Sequence, residues 1–405
     1  MRITTLLNKL IGLQGLWVRG FTYQPHRGRV IVDVVPRKKR RCGQCGRKTR
    51  KNKDRSTRYW RHLDLFGAKT FLRYTIRRVV CRRCGVVKEK VPWAERGSRF
   101  TVAFEQEVTW LAQRGDLSAV ADYFRITWRS VRRIIRRVVA QKWDEGERLD
   151  ALRVIGVDEI SYRKRHRYLT VVVNHLTGRV VWAGKDRKAK TLLRFFRKLG
   201  PERAAELEAV SMDMWEPYMA VVNKKAAQAR VIFDRFHIVQ HLNKAVDETR
   251  RDLVRKLTGQ ARKDLKNTKF PLLRAKKNRT DKDLRVLEQQ VQANRPLYRA
   301  MLLRDDFMDL YSYKREGWAK KFLEGWLRRA MWSKLEPIKR VARMIRAHFD
   351  GVVSWVTWGI SNGRLEGTNN KIRLLSHRSF GLHSAESLIS LVYLCCGGLE
   401  PQRIH

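Results

Sequence analysis

Three short apolar runs, each closed by an aspartate, set the tightest limit on how this chain can fold. Val154-Ile155-Gly156-Val157 is closed by Asp158, Ala209-Val210-Ser211-Met212 by Asp213, and Val231-Ile232-Phe233 by Asp234. Runs this short read as strands of a covered sheet rather than as buried helices. The chain between them fits: from Val154 to Asp234 the pattern reads β-β-β-α-β-α-β. Tyr168 to Asn174 and Arg179 to Ala183 form a hairpin across the turn His175-Leu176-Thr177-Gly178.

Carboxylates at strand ends stand out because the rest of the chain is basic. Its 405 residues hold 89 Lys+Arg against 39 Asp+Glu, a net charge of +50. Such a chain repels itself unless it meets a polyanion, which points to nucleic acid as the partner. A ribosomal or membrane-surface protein shares that balance. However, 13 Trp and 43% hydrophobic residues belong to folded cores, not to a basic tail. The length allows roughly two to four domains. No apolar run approaches the ~18 residues of a membrane span. Met1 to Gly20 is interrupted by Asn8, Lys9, Gln14 and Arg19 and makes a poor secretory signal. Lys266 to Asp283 reads as an exposed basic stretch.

Six cysteines fall as Cys42/Cys45, Cys81/Cys84 and the adjacent Cys395-Cys396. Paired CxxC motifs suit a reducing compartment better than a secreted disulfide framework. Four thiolates on two tight turns make a closed structural Zn2+ site. Glycines at 43, 46 and 85 favour those turns, and the long spacer accommodates strands such as Thr70 to Ile76; Arg29 to Val35 also reads as a strand. Two unrelated redox or structural pairs are the competing reading. Cys395-Cys396 lies in the apolar run Leu391 to Cys396 and reads as core.

Pro92 to Arg99 resembles a linker, and Val102 to about Lys142 is helical. Leu117 to Phe124, the turn Arg125-Ile126-Thr127 and Trp128 to Val139 match a helix-turn-helix, with Val120-Ala121, Ile126, Val131 and Ile134 at packing positions. Thr127 caps the second helix. Val131, Ile134, Ile135, Val138 and Val139 form its apolar stripe, and Arg129, Arg132, Arg133, Arg136 and Arg137 lie largely opposite. That face suits a major groove, with Thr127, Trp128, Arg129, Arg132, Arg133 and Arg136 as candidate DNA contacts. One departure stands out: the turn position that favours glycine carries Arg125. A basic helical hairpin without base readout is the alternative.

From Phe236 to about Trp358 helical spacing dominates, with Trp318, Trp326, Trp332, Trp355 and Trp358 serving either as core or as base-stacking groups. Ser361 to Leu394 is helical again and carries Glu366, with Asn369, Asn370 and Arg373 on the same face. These three are candidates to contact DNA or to orient the carboxylate. Phosphodiester chemistry builds charge on the attacking and leaving oxygens, and two Mg2+ (or Mn2+) ions held by a few carboxylates stabilise both. Asp158, Asp213 and Glu366 form that candidate set. Glu159 competes with Asp158, and Glu216 more weakly with Asp213. Asp234 and His237 read either as an auxiliary pair or as a helix cap plus a core histidine.

The order and company of these motifs resemble bacterial insertion-sequence transposases of the ISL3 type over nearly the whole chain. The resemblance rests on the paired CxxC motifs, the helix-turn-helix at Leu117 to Val139, and Gly156-Val157-Asp158-Glu159. It rests also on Met212-Asp213-Met214-Trp215, Phe233-Asp234-Arg235-Phe236-His237, and Ser361-Asn362 with Glu366, Asn369-Asn370 and Lys371. It implies an α+β multi-domain chain with an RNase H-like core interrupted by an all-α insertion. The expected division is 1–95 zinc-binding module, 96–145 helix-turn-helix, 146–240 first part of the core, 241–360 insertion, and 361–405 C-terminal core helices. It implies Asp158, Asp213 and Glu366 as the metal-binding triad, and raises Asp234 and His237 as an auxiliary pair. The implied activity is Mg-dependent cleavage and transfer of double-stranded DNA at terminal inverted repeats and target. The protein would act as a homo-oligomer, a dimer on DNA, in the cytoplasm at the nucleoid and away from membranes. A catalytically silent DNA-binding regulator derived from such an enzyme is the alternative.

Overall fold

The computed structural model describes residues 3–163, 167–292, 294–360, 363–378 and 384–403. The chain forms two compact units, Met1–Trp143 with Leu375–His405, and Asp144–Leu374. Among the described residues no helix is long and apolar enough to cross a membrane.

The first unit opens with α1 (Ile3–Leu10) and a five-stranded sheet of β1 (Leu16–Gln24), β2 (Arg29–Pro36), β3 (Asn52–Leu65), β4 (Ala68–Cys81) and β5 (Gly85–Lys88). The order is β1-β2-β4-β3, with β5 also on β4. Residues 72, 74 and 76 of β4 alternate inward, as a half-buried strand requires. They meet Val18, Val32, Val34 and Trp60 in the core. The segment from Pro92, expected to be a linker, is instead pinned by Trp93, which is 1% exposed and sets its ring edge-on to Trp60 and Tyr74 at 5.7 and 5.4 Å. Its polar, glycine-containing composition hides the single anchor.

Three helices follow, α2 (Val102–Arg114), α3 (Leu117–Tyr123) and α4 (Trp128–Lys142). Asp116 caps α3 by accepting from the Ser118 and Ala119 amides, and Thr127 caps α4 by accepting from Ser130. The α4 stripe Val131, Ile134, Ile135, Val138 and Val139 is buried as the spacing predicts. Arg125 adopts the left-handed conformation at φ 53°, so the turn keeps its shape without glycine. Asp64 and the Gly67 carbonyl hold its guanidinium there. The C-terminal helix, Ala385–Cys396, expected with the catalytic core, falls in this unit and packs on α4. Its apolar run matches the α4 stripe, and Tyr393 stacks on Trp143 at 3.8 Å. Cys395 and Cys396 are buried.

The second unit begins with α5 (Glu145–Leu149) and holds β6 (Val154–Arg163), β7 (Arg167–Asn174), β8 (Val180–Lys185), β9 (Ala209–Met212) and β10 (Arg230–Phe233) in the order β10-β9-β6-β7-β8. β6, β9 and β10 are parallel, while β7 and β8 continue antiparallel from β6. The first and fourth strands are therefore neighbours, the arrangement of an RNase H-like sheet. The helices α6 (Ala189–Leu199), α7 (Pro201–Ala205) and α8 (Glu216–Lys225) link the strands. After β10 the chain is all helical. It runs through α9 (Arg235–Lys256), α10 (Gly259–Asn267), α11 (Lys269–Leu273), α12 (Asp281–Val286), α13 (Arg295–Met308), α14 (Glu316–Trp332), α15 (Glu336–Ala347) and α16 (Phe349–Trp358) to α17 (Gly363–Arg378). One apolar cluster runs from sheet residues such as Ile155, Val210 and Phe233 through Leu242, Phe307, Trp326 and Val353. Trp326 is core, its indole N–H donating to the Leu303 carbonyl at 2.7 Å, whereas Trp318 and Trp332 are exposed.

Candidate active site

The register of the three parallel strands lines up the aspartates. Gly156 pairs with Ser211, and Ser211 with Ile232; Asp213 and Asp234 directly follow the last residues of β9 and β10, so one end of the parallel set carries positions 158, 213 and 234. Asp158 does not end its strand as the apolar run implied. β6 continues to Arg163 paired with β7, but β9 stops at Met212, and the row begins where that pairing ends.

Each aspartate accepts from a nearby amide: Asp158 from Glu159 and Asp213 from Met214, both at 2.7 Å, and Asp234 from Phe236 at 2.8 Å. Asp234 thereby caps α9, and the ring nitrogens of His237 lie 3.9 Å from Asp213 and 3.8 Å from Asp234. Alternation turns Glu159 away from Asp158 along β6, yet it still lines the same cavity; there Arg187 pairs with it at 2.8 Å while lying over the Trp215 ring at 4.4 Å. Burial raises the Glu159 carboxyl to about 7, against the pull of Arg187. Glu216 is exposed on α8, 3.9 Å from His348.

α17 brings Glu366 to the same place. Its start is tied to the β7–β8 turn by Arg364, which donates to the His175 carbonyl at 2.9 Å. It packs so closely on β6 that a Cβ on Gly156 would lie 3.2 Å from His175 and 3.3 Å from Leu365. Glu366, Asn369 and Arg373 line a cavity of about 730 Å3 together with Asp158, Glu159, Asp234, Phe236 and His237. Asn369 is 5% exposed and donates to Asp158 Oδ2, while Asn370 and Arg373 remain exposed. Of the two roles open to Asn369, this contact matches the orienting one. Burial raises the Asp158 pKa, opposed by the Glu159 amide, the charge of His237 and the Asn369 hydrogen bond. Ser361 and Asn362 lie outside the described residues.

The four candidate zinc ligands converge: the Sγ atoms of Cys42, Cys45, Cys81 and Cys84 all lie within 4.8 Å of one another. Among the described residues they are the one set of three or more such donors gathered so tightly. A Cβ on Gly43 would lie 2.5 Å from the Lys88 carbonyl, so only glycine lets this knuckle approach the end of β5. The Arg83 and Cys84 amides pull the Cys81 thiol down to about 6, favouring the thiolate a metal needs.

On α4 the arginines divide into two groups. Arg129, Arg133 and Arg136 are exposed. Arg132 lies over the Trp128 ring at 4.8 Å and donates to Ser387, and Arg137 pairs with the buried Glu105. Thr127 is engaged in the cap. Sequence reasoning missed Arg187 and Arg364. Neither carries a distinguishing signal, being one of many basic residues.

Three family models match the chain. One described as "Transposase" covers residues 155–392, one described as "Helix-turn-helix domain of transposase family ISL3" covers 89–139, and one described as "zinc-finger of transposase IS204/IS1001/IS1096/IS1165" covers 38–84. The chain is 35% identical over 399 residues to the "Transposase for insertion sequence element IS1557" of Mycobacterium tuberculosis, covering 92% of this chain and 90% of the relative. It is 28% identical over 387 residues to the "Transposase for insertion sequence element IS1001" of Bordetella parapertussis, covering 94% and 95%. The zinc-finger match encloses the cysteine quartet, the helix-turn-helix match covers α2, α3 and α4 as far as Val139, and the largest match spans the aspartate row and Glu366. The chain belongs to the ISL3 family of transposases.

Proposed function

We propose that this transposase binds the terminal inverted repeats of its own insertion sequence and, with divalent cations, cuts and joins DNA strands there. The observation that carries the reading is the row of Asp158, Asp213 and Asp234 at one end of the sheet, with Glu366 lining the cavity that Asp158 and Asp234 also line, in a chain of net charge +50. Hard oxygen donors suit Mg2+ or Mn2+. The Oδ1 atom of Asn369 is buried without a hydrogen-bond partner beside Asp158, an orphan that a cation or its water would satisfy. Asp158, Asp213 and Glu366 would hold the ions, which stabilise charge on the attacking and departing oxygens.

The chain's own groups have separate tasks. Asn369 holds the Asp158 carboxylate in one orientation. His237 offers a proton or a hydrogen bond beside Asp213 and Asp234. Arg187 pairs with Glu159 on the cavity wall and offsets its charge. Exposed Asn370 and Arg373 on α17 meet phosphates. Arg129, Arg133 and Arg136 bind the repeat through α4, and the cysteine quartet keeps Zn2+ as a structural ion. The relatives are named for the insertion sequences IS1557 and IS1001, which supports an element's ends as the substrate. Joining two ends requires two copies on DNA, so a dimer is the working form. The division at residues 95, 145, 240 and 360 is the corresponding domain assignment, with 241–360 as the insertion and the helix Ala385–Cys396 grouped instead with the first unit.

The test is a cleavage and strand-transfer assay on repeat-end DNA with Mg2+. Asp158→Asn and Glu366→Gln abolish cutting and retain binding of the uncut end. Wild-type cutting by both variants would overturn the triad.

A further inference from the structure

The β3–β4 hairpin has an unusual tip. Leu65 pairs with Ala68, so the loop is only Phe66-Gly67, and both residues have positive φ, 50° and 78°. A two-residue loop with this geometry prefers Asn, Asp or Gly at its first position. A phenylalanine there is strained and gains nothing from packing, since it is 97% exposed. A strained residue persists when its surroundings over-determine it, and such residues concentrate at functional sites.

The surroundings are specific. Arg125, the left-handed residue of the helix-turn-helix turn, donates to the Gly67 carbonyl at 2.8 Å and pairs with Asp64 on the same hairpin. Two strained non-glycine turns are thus tied to each other, fixing the hairpin tip beside the turn that leads into α4. Thr127, two residues after Arg125, caps that helix. Exposed Arg125 and Arg129 make the neighbourhood basic, and Lys69 follows the tip. An exposed ring at a hairpin tip, even with Tyr123 exposed at the end of α3, is smaller than the apolar centre of a protein interface. It is the size of the apolar wedges that enter a base step and kink a duplex.

We propose that the β3–β4 hairpin is a second DNA-contacting element docked beside α4, with Phe66 as a wedge that enters a base step of the bound duplex. This rests on the reading of α4 as the duplex-contacting helix. Arg125 is the positioning residue, setting where the wedge enters relative to that helix.

The test uses the full-length protein and a duplex carrying the inverted repeat that flanks its own coding sequence, with a fluorophore at each end. Phe66→Asn supplies the residue the turn prefers, so the fold is retained or stabilised. Its expected affinity loss is about ten-fold, equivalent to about 1.4 kcal/mol. The end-to-end energy transfer that reports a kink falls to that of free DNA, and Phe66→Leu retains most of both. Arg125→Ala loses the kink more than the affinity. Unchanged affinity and bending in Phe66→Asn overturn the proposal. So does a change confined to self-association by sedimentation, which assigns Phe66 to a protein contact. Arg133→Ala with Arg136→Ala serves as the separate control: loss of binding there with none in Phe66→Asn leaves the α4 reading intact and removes only the wedge, while wild-type binding there removes the reading on which the wedge rests.

Discussion

Arg137 looks in the sequence like any other arginine on the basic face of α4, and the structure gives it a different task. Its guanidinium pairs with Glu105 on α2, whose side chain is 2% exposed, and Ser98 Oγ completes the cluster at 2.6 Å from the carboxylate and 3.0 Å from Arg137. Arg137→Met keeps the aliphatic stem and leaves that carboxylate buried with one neutral donor. Stranding a buried charge in this way costs roughly 3–5 kcal/mol. Adding Glu105→Gln removes the stranded charge, so the double variant recovers most of that loss. Burial already raises the Glu105 pKa despite Ser98 and Arg137. A carboxyl with a raised folded pKa stabilises the fold in acid and loses that contribution as pH rises through the folded value. Removing Arg137 raises the pKa further, so the single variant's deficit shrinks toward acid pH and is greatest at neutral pH. Hydrogen exchange of α2 and α4 amides across pH reads this locally, which suits a multi-domain chain without a single two-state transition. A deficit below about 1 kcal/mol at neutral pH, with loss of DNA affinity matching Arg133→Ala, would show that Arg137 faces DNA and would refute the reasoning.

His62 is buried, with its ring nitrogens on Thr101 and the Ile11 carbonyl, and burial lowers its pKa to about 4. Its neutral form contributes stability in full above about 6.5, and that contribution is lost as pH falls to about 4, a span worth roughly 3 kcal/mol. Hydrogen exchange of β3 amides around position 62, followed across pH, should lack this acid-side slope in His62→Gln. Asn369→Leu removes the hydrogen bond to Asp158 and should weaken Mn2+ binding and DNA cutting by roughly 10–100-fold with DNA binding retained; calorimetry with Mn2+ showing unchanged affinity would count against the orienting role. Cys42→Ser should release zinc by elemental analysis and unprotect β4 amides near Cys81; full zinc content would break the four-ligand assignment.

What could be read in advance follows a physical division. β6, β9 and β10 were legible because both faces are covered, which makes each a plain apolar run. The first half of β3, from Asn52 to Arg58, was not, because it is exposed and its residues are polar. The buried stripe of α4 followed from spacing alone. Spacing could not separate Arg132 and Arg137 from Arg133 and Arg136, since that depends on what packs across from them. The same limit applies at the candidate site. Asp158, Asp213 and Glu366 announced themselves against a basic background, while Arg187 was one cation in the run Lys185-Asp186-Arg187-Lys188. The face that separates Asp158 from Glu159 required the strand register.

The unbroken apolar cluster linking the sheet to the helices after β10 bears on how this unit can fail. A segment inserted as a self-sufficient domain can be deleted or unfolded while its host persists. Here Phe233 and Val353, or Ile238 and Val341, belong to one core, so neither part keeps its interior without the other. Loosening the helices would strip the cover from the strands that align the carboxylates, and the unit should melt as one cooperative block. Chain lengths within 241–360 can therefore change at helix connections, whereas removal of the whole segment would disarm the sheet.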